Sequence, residues 1–127
     1  MKYSKLTTVQ KAVSEIPDNA VIAFNGIGII GCPEQFFIEL EKHFEKTNHP
    51  KSLTILSACG MGSHNKDEDY MAKLNKPGMV DCIITGHLTA FRSFFNSISN
   101  NKVEAYNLSQ GIISMNYREA SARRPGF

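Results

Sequence analysis

Three glycines at the spacing of a nucleotide-binding loop are the first chemistry this chain offers. Residues 26 to 34 read GIGIIGCPE and follow the apolar run Val21-Ile22-Ala23-Phe24, so Gly26, Gly28 and Gly31 fit the pattern G-x-G-x-x-G. In a dinucleotide fold that pattern turns a strand tightly into a helix whose first amides hold a pyrophosphate, and an acidic residue about 20 positions on binds a ribose hydroxyl. Two features argue against it here. Pro33 stands two positions after Gly31, inside the helix that such a loop would open, where a proline costs about 3 kcal/mol. The next apolar run ends in Ser57-Ala58-Cys59, with no acid at its tip. The plainer reading is that the glycines let the backbone turn sharply between a strand and a later helix.

The remaining reactive side chains are more scattered. Ser63, His64 and Asp67 have the types of a nucleophilic triad, but they are nearly consecutive in one polar loop, and triads are assembled in space rather than along a loop. His87 follows Gly86, where it could meet a substrate but is more simply a local hydrogen-bonding residue. Cys32, Cys59 and Cys82 show no paired spacing for a zinc site, and their odd count argues against a disulfide framework. They read as reduced thiols, with no metal expected. Cys82, between Asp81 and Ile83, is expected in the core, and Cys32, beside the glycine loop, is expected to be exposed and modestly reactive.

Composition narrows the class. At 127 residues the chain can bury one core, and 42% hydrophobic with 20% charged residues is ordinary globular composition. Fourteen Lys and Arg against twelve Asp and Glu, scattered apart from Arg123-Arg124, suggest no phosphate-tracking surface, so nucleic acid is not an expected partner. No stretch approaches the roughly 20 apolar residues of a membrane helix, and the opening MKYSKLTTVQKAV has no signal-peptide core. A cytoplasmic protein without membrane contact is expected.

These residues need a scaffold, and the periodicity supplies one. Leu6, Val9, Val13 and Ile16 recur at helical spacing and stop at Pro17-Asp18; Ala20 to Phe24 form a strand. Phe36, Phe37, Leu40 and Phe44 line a helix from about Pro33 to Lys46, with Pro33 suited to its first turn, and Asn48-His49-Pro50 ends it. Leu53 to Ser57 give a second strand, and a polar loop with Gly60, Gly62 and Ser63 follows. Next come a short helix from Asp69 to Leu74 and a third strand from Met79 to Ile84. Leu88, Phe91, Phe95 and Ile98 space an amphipathic helix, Val103 to Leu108 a fourth strand, and Gly111 to Arg123 a last helix. Strands alternating with helices, with apolar runs too continuous for a sheet wetted on one face, predict an α/β protein with a mostly parallel sheet covered by helices on both faces.

The glycine loop also sits in a longer pattern. Asp18-Asn19, two residues, Ile22-Ala23-Phe24, Asn25-Gly26-Ile27, three residues and Gly31-Cys32-Pro33 together resemble the first-lobe signature of the family I coenzyme A transferases. Asn25 stands for a glycine and Ile27 for a phenylalanine of that signature, departures better tolerated by the single-chain acetate and propionate CoA-transferase branch than by the two-subunit branch. Leu53-Thr54, Gly86-His87, Glu104 through Gly111 (EAYNLSQG), Tyr117-Arg118-Glu119-Ala120 and Arg124-Pro125-Gly126 are similar to further landmarks of that branch, in order. Ser109 replaces a proline usual before the Gln-Gly pair.

The resemblance implies the fold shared by CoA-transferases and sugar-phosphate isomerases. It also implies transfer of coenzyme A between short-chain carboxylic acids through a glutamyl thioester. The nucleophilic glutamate belongs to a second lobe, so no residue here matches it, and Glu34, Glu104 and Glu119 are not assigned to it. Residues 1–127 are expected to be one incomplete first-lobe domain, silent alone. Gln110 takes the place of the family's active-site glutamine, a neutral donor for an oxyanion. Amides at Gly26, Gly28 and Gly31 are expected to line the same crevice, with Asn25 and Pro33 shaping the loop. The expected partners are acyl-CoA, a short-chain carboxylate, the missing second lobe or a partner subunit, and further copies in a homo-oligomer. Coenzyme A enters as thioester substrate and no cofactor is expected. A non-catalytic module that binds acyl-CoA or carboxylates, and a sugar-phosphate isomerase-like or regulatory domain of the same fold, are the alternatives.

Overall fold

The computed structural model describes residues 6–63, 65 and 68–125. Four strands, β1 (Val21–Phe24), β2 (Leu53–Ser57), β3 (Val80–Thr85) and β4 (Glu104–Asn107), form one sheet in the order β1-β2-β3-β4 with every pairing parallel. The register aligns Ile22 with Ile55, Ile55 with Ile83 and Ile83 with Ala105, so one face carries a row of aliphatic side chains across the sheet. Helix α1 (Val9–Ser14) is capped by Thr8, whose hydroxyl accepts from the Lys11 amide at 3.3 Å. Helix α2 (Glu34–Thr47) lays Phe37, Leu40 and Phe44 against the sheet. It ends at Asn48, left-handed at φ 58°, whose N–H donates to the Phe44 carbonyl at 2.7 Å. Asparagine tolerates that conformation, so the helix stops before the predicted proline is reached.

Strand order explains how the core is distributed. A parallel sheet that grows in one direction through right-handed crossovers places every connection on the same face. Val13, Phe37, Leu40, Met71, Leu74, Phe91 and Phe94 accordingly join Phe24, Leu53, Ile55 and Ile83 in one cluster. The second face is reached only after β4, by α4 (Gln110–Ser121), whose Ile113 is buried outside that cluster. Helices therefore belong to both faces, but coverage is unequal: on the second face Val21 stays 64% and Tyr106 51% exposed.

Three expectations are corrected. The segment from Leu88 to Ile98 is no continuous helix. It makes 3-10 turns over Leu88–Ala90 and Arg92–Phe94 and one short helix, α3 (Phe95–Ser99). Phe91 has ψ 52°, which breaks the helical ladder. The cause is tertiary: Ala90 is pressed onto the loop after β2, where a Cβ on Gly60 would lie 2.3 Å from the Ala90 Cβ, and both Phe91 and Phe94 turn fully into the core. Cys82 is not a core residue. In register with Thr54 and Glu104, it sits half-buried on the second, partly open face. The last helix begins at Gln110, one residue ahead of expectation, because the Ser109 hydroxyl caps it by accepting from the Ile112 amide at 3.3 Å.

Candidate functional site

The loops after β1, β2 and β3 meet at the carboxyl ends of the strands, where ligands of open α/β sheets bind. After β1 the chain folds into a tight hairpin: Ile27 and Ile30 exchange N–H···O bonds of 3.1 and 2.9 Å around Gly28 and Ile29. Gly28 takes φ +58°, a left-handed conformation that glycine adopts without strain. Its N–H donates to the Gly60 carbonyl at 3.0 Å and its carbonyl accepts from the Gly62 amide at 3.3 Å, which stitches the glycine loop to the loop after β2. Helix α2 starts only at Glu34, with Pro33 as its flanking residue. The glycine loop and the helix start are thus separated, and the pyrophosphate cradle of a dinucleotide site does not form.

These loops enclose a cleft of about 450 Å³. One wall is Ile27 and Gly28; the floor is Cys59, Gly60, Gly62 and Ser63; the other wall is His87, Thr89, Ala90 and Arg92. Of the three expected glycines only Gly28 lines the cleft, and its amide is already committed to Gly60. Gly26 and Gly31 lie behind the hairpin, where a Cβ on Gly26 would come within 2.7 Å of the Ile30 carbonyl oxygen. Asn25 and Pro33 flank the same turn, also outside the lining.

Gln110 reaches the cleft from α4. Its side chain crosses the end of β3 and the Nε2 amide donates to Cys59 Sγ at 3.6 Å. Gly86 makes that crossing possible, since a Cβ there would lie 2.5 Å from Gln110 Cγ. Gln110 thus stands beside the floor rather than in the lining, with an exposed amide. Cys59 itself is held by the loop: the Ser57 hydroxyl donates to its carbonyl. Helix α4 is tied to the strand ends a second time, by the Tyr117 hydroxyl, which lies 3.3 Å from both the Phe24 and Leu56 carbonyl oxygens. Burial pushes the Tyr117 phenol above its usual range, so it remains a donor.

The thiols and the loop polar groups complete the picture. Cys32 is not the reactive thiol its sequence position suggests. Burial, with the charges of Glu34 and Asp69 in support, raises it to about 11, and the nucleophilic thiolate is correspondingly scarce at neutral pH. Burial also raises Cys82. Ser63 donates to Glu68 Oε2 at 3.2 Å and accepts from the Asn65 amide at 3.1 Å. His64 and Asp67, the other members of the serine-histidine-aspartate trio, lie outside the described residues. Among the described residues no cluster of three His, Cys, Asp or Glu side chains is arranged for a metal, and no helix is long and apolar enough to cross a membrane. His87 is exposed on the cleft wall, its amide donating to Thr85 Oγ1 at 3.3 Å. Sequence reasoning passed over Arg92 and Thr89, because a basic residue inside an assumed amphipathic helix reads as solvated; the broken helix turns both to the cleft.

Parallel strands with glycine-stitched loops and a cleft at their carboxyl ends make an α/β unit of the kind whose ligands bind beyond the strand ends. Its relatives are specific. A family model described as "Coenzyme A transferase" matches residues 6–127, and the chain belongs to that family. It is 28% identical over 124 residues to the caffeate CoA-transferase of Acetobacterium woodii, a match covering 98% of this chain and 23% of that protein. It is 29% identical over 122 residues to the acetate CoA-transferase YdiF of Escherichia coli (strain K12), covering 94% of this chain and 22% of the relative. The crystal structure of the acyl-CoA transferase YdiF apoenzyme from Escherichia coli O157:H7 superposes with a TM-score of 0.82 at 29% identity, over 96% of this chain and 24% of that one. Its thioester complex with CoA gives 0.80 at 27% identity, over 95% of this chain and 25% of that one. The chain therefore spans about a quarter of the length of the relatives it matches.

Proposed function

We propose that this chain is the opening part of the first lobe of an acyl-CoA:carboxylate CoA-transferase, and that it supplies the oxyanion donor and one side of the substrate cleft. The observation that carries the reading is the Gln110 amide, brought over Gly86 to the cleft floor at Cys59. When a glutamate carboxylate attacks an acyl-CoA carbonyl, negative charge develops on the carbonyl oxygen. A neutral amide preorganised beside that atom stabilises the charge without competing as an ion. Gly28 and the stitched loop fix the cleft wall, while Gly26, Gly31, Asn25 and Pro33 shape the turn that places it.

The nucleophilic glutamate is supplied from outside these residues. Glu34 pairs electrostatically with Cys32 and Tyr70 away from the cleft lining, and Glu104 interacts with Tyr106 on the sheet's second face. Glu119 meets Arg124 at 3.5 Å. An exchange assay of acyl-CoA with acetate on the purified chain should give no turnover. Turnover that disappears when Glu34, Glu104 or Glu119 becomes Gln would disprove the reading. The same reading carries short-chain acids as substrates, a cytoplasmic location and a homo-oligomer built through the open sheet face, which sedimentation tests.

A further inference from the structure

Cys59 is a nucleophile on the cleft floor that transfer through an outside glutamate does not use. It is half-buried, whereas the other two thiols, Cys32 and Cys82, lie outside the lining and are both raised by burial. Two side chains of the kind that assist a thiol in acyl chemistry stand next to it. The Gln110 Nε2 amide donates to its Sγ at 3.6 Å. On the wall, His87 packs against Gly60, the residue after Cys59: a Cβ on that glycine would lie 3.3 Å from the His87 Cβ. The His87 backbone is engaged, its N–H donating to Thr85 Oγ1 and its carbonyl accepting from the Ala90 amide. The residue lines the cleft, and its imidazole makes no hydrogen bond or ion pair among the described residues.

The short path from the Gln110 amide to the sulfur has a chemical consequence. A carbonyl oxygen that accepts from Nε2 at about 2.9 Å brings its carbon beside Sγ, within reach of the roughly 3–3.5 Å of a near-attack geometry. Acyl transfer to sulfur needs a nucleophile, a proton acceptor and an oxyanion donor, and a thiol, an unpartnered imidazole and a neutral amide meet those needs. We propose that Cys59 is an S-acylation site, taking acyl groups from thioesters bound in this cleft, with His87 as its base and Gln110 holding the carbonyl oxygen. His87 accepts the Sγ proton as the sulfur bonds to the acyl carbon. The bond from that carbon to the donor's sulfur breaks with its electron pair, and the leaving thiolate takes the proton back from the imidazolium. One thioester replaces another, so no oxidant, reductant or further reactant is consumed, and excess free thiol reverses the step. The proposal rests on the acyl carbonyl lying at Gln110, as in the transferase reading, and adds a second acceptor within this chain.

Mass spectrometry of the purified chain, incubated with acetyl-CoA or with the acetyl thioester of N-acetylcysteamine, tests it. One acetyl group should appear on Cys59, at least about 10²-fold faster than on the same thiol in the urea-unfolded chain, the low end of general-base assistance. Free coenzyme A should remove it. Cys59→Ala should abolish the labelling. His87→Gln, checked for an unchanged circular dichroism spectrum, should slow it by about 10²-fold and leave a rate that climbs into the alkaline range, as for a thiol without a base. Gln110→Ala should slow it as well. No acetyl group from either thioester, labelling of Cys32 or Cys82 as fast as that of Cys59, a Cys59 rate no higher than in the unfolded chain, or full speed in His87→Gln would overturn the proposal. Labelling is stoichiometric and needs no acetate, whereas the transferase reading is tested by exchange, so failure of one is told apart from failure of the other.

Discussion

A Cβ on Gly86 would stand 2.5 Å from Gln110 Cγ and 2.4 Å from the Ala58 carbonyl oxygen, so the path of the glutamine across β3 exists only because residue 86 has no side chain. Backbone on one side cannot yield, and the other neighbour opens α4. Gly86→Ala should therefore displace the start of α4 and destabilise the chain by about 1–3 kcal/mol, the usual cost of overpacking. Urea unfolding measures the loss. A variant as stable as the parent would show that the strand end relaxes freely and that the glutamine is not held there.

The Cys32 thiol gives a pH dependence with a definite sign. Its ordinary value is 9.0 and burial first, then Glu34 and Asp69, raise it to about 11 in the folded chain. Between those values the unfolded chain releases the proton and the folded chain keeps it, so the folded state binds more protons and stability falls as pH rises. Cys32→Ala should flatten the drop in urea midpoint between pH 9 and pH 11 relative to the parent. Alkylation of Cys32 by iodoacetamide at pH 8 should be slower than that of an unstructured peptide thiol.

Tyr117 makes a separate claim about α4. Its hydroxyl is the polar tie from that helix to the ends of β1 and β2, and α4 has a single buried apolar residue, Ile113, to help it. Tyr117→Phe should cost about 1 kcal/mol, the net worth of a hydrogen bond in a partly buried place. The loss should appear as faster amide exchange in α4 while α2 stays protected, because α2 is held by Phe37, Leu40 and Phe44.

Much of this organisation is legible in the sequence, for reasons that differ by element. Every strand appears within about a residue or two of its predicted place. Apolar runs such as Leu53 to Ser57 are short, bounded by turn residues and buried on one face by register. The glycine loop was readable as a turn, and Pro33 correctly delayed the helix to Glu34. The spacing Leu88, Phe91, Phe95, Ile98 misled because three- and four-residue intervals also suit consecutive 3-10 turns. What decides between them is the contact of Ala90 with Gly60, thirty residues away. Arg92 was invisible for the same reason. Cys32 misled because adjacency to a loop says nothing about how far a side chain packs against the core. Coverage of the sheet's second face depends on where the chain goes after β4, which periodicity within an element does not encode.

Gln110 permits a test of chemistry rather than of stability. Its side chain is exposed, and the start of α4 is secured by Ser109 and Ile112, so changing it should leave folding intact. In a two-lobed transferase carrying this chain, Gln110→Ala should lower kcat by about 10²-fold with little change in KM, as expected for a donor whose bond strengthens as charge develops. Gln110→Glu, nearly the same shape, should be worse than Ala at neutral pH, because a carboxylate beside the developing oxyanion repels it. It should recover in part as pH falls and the carboxyl becomes neutral. A KM effect without a kcat effect would instead make Gln110 a ground-state contact, and equal activity in all three would remove it from the reaction.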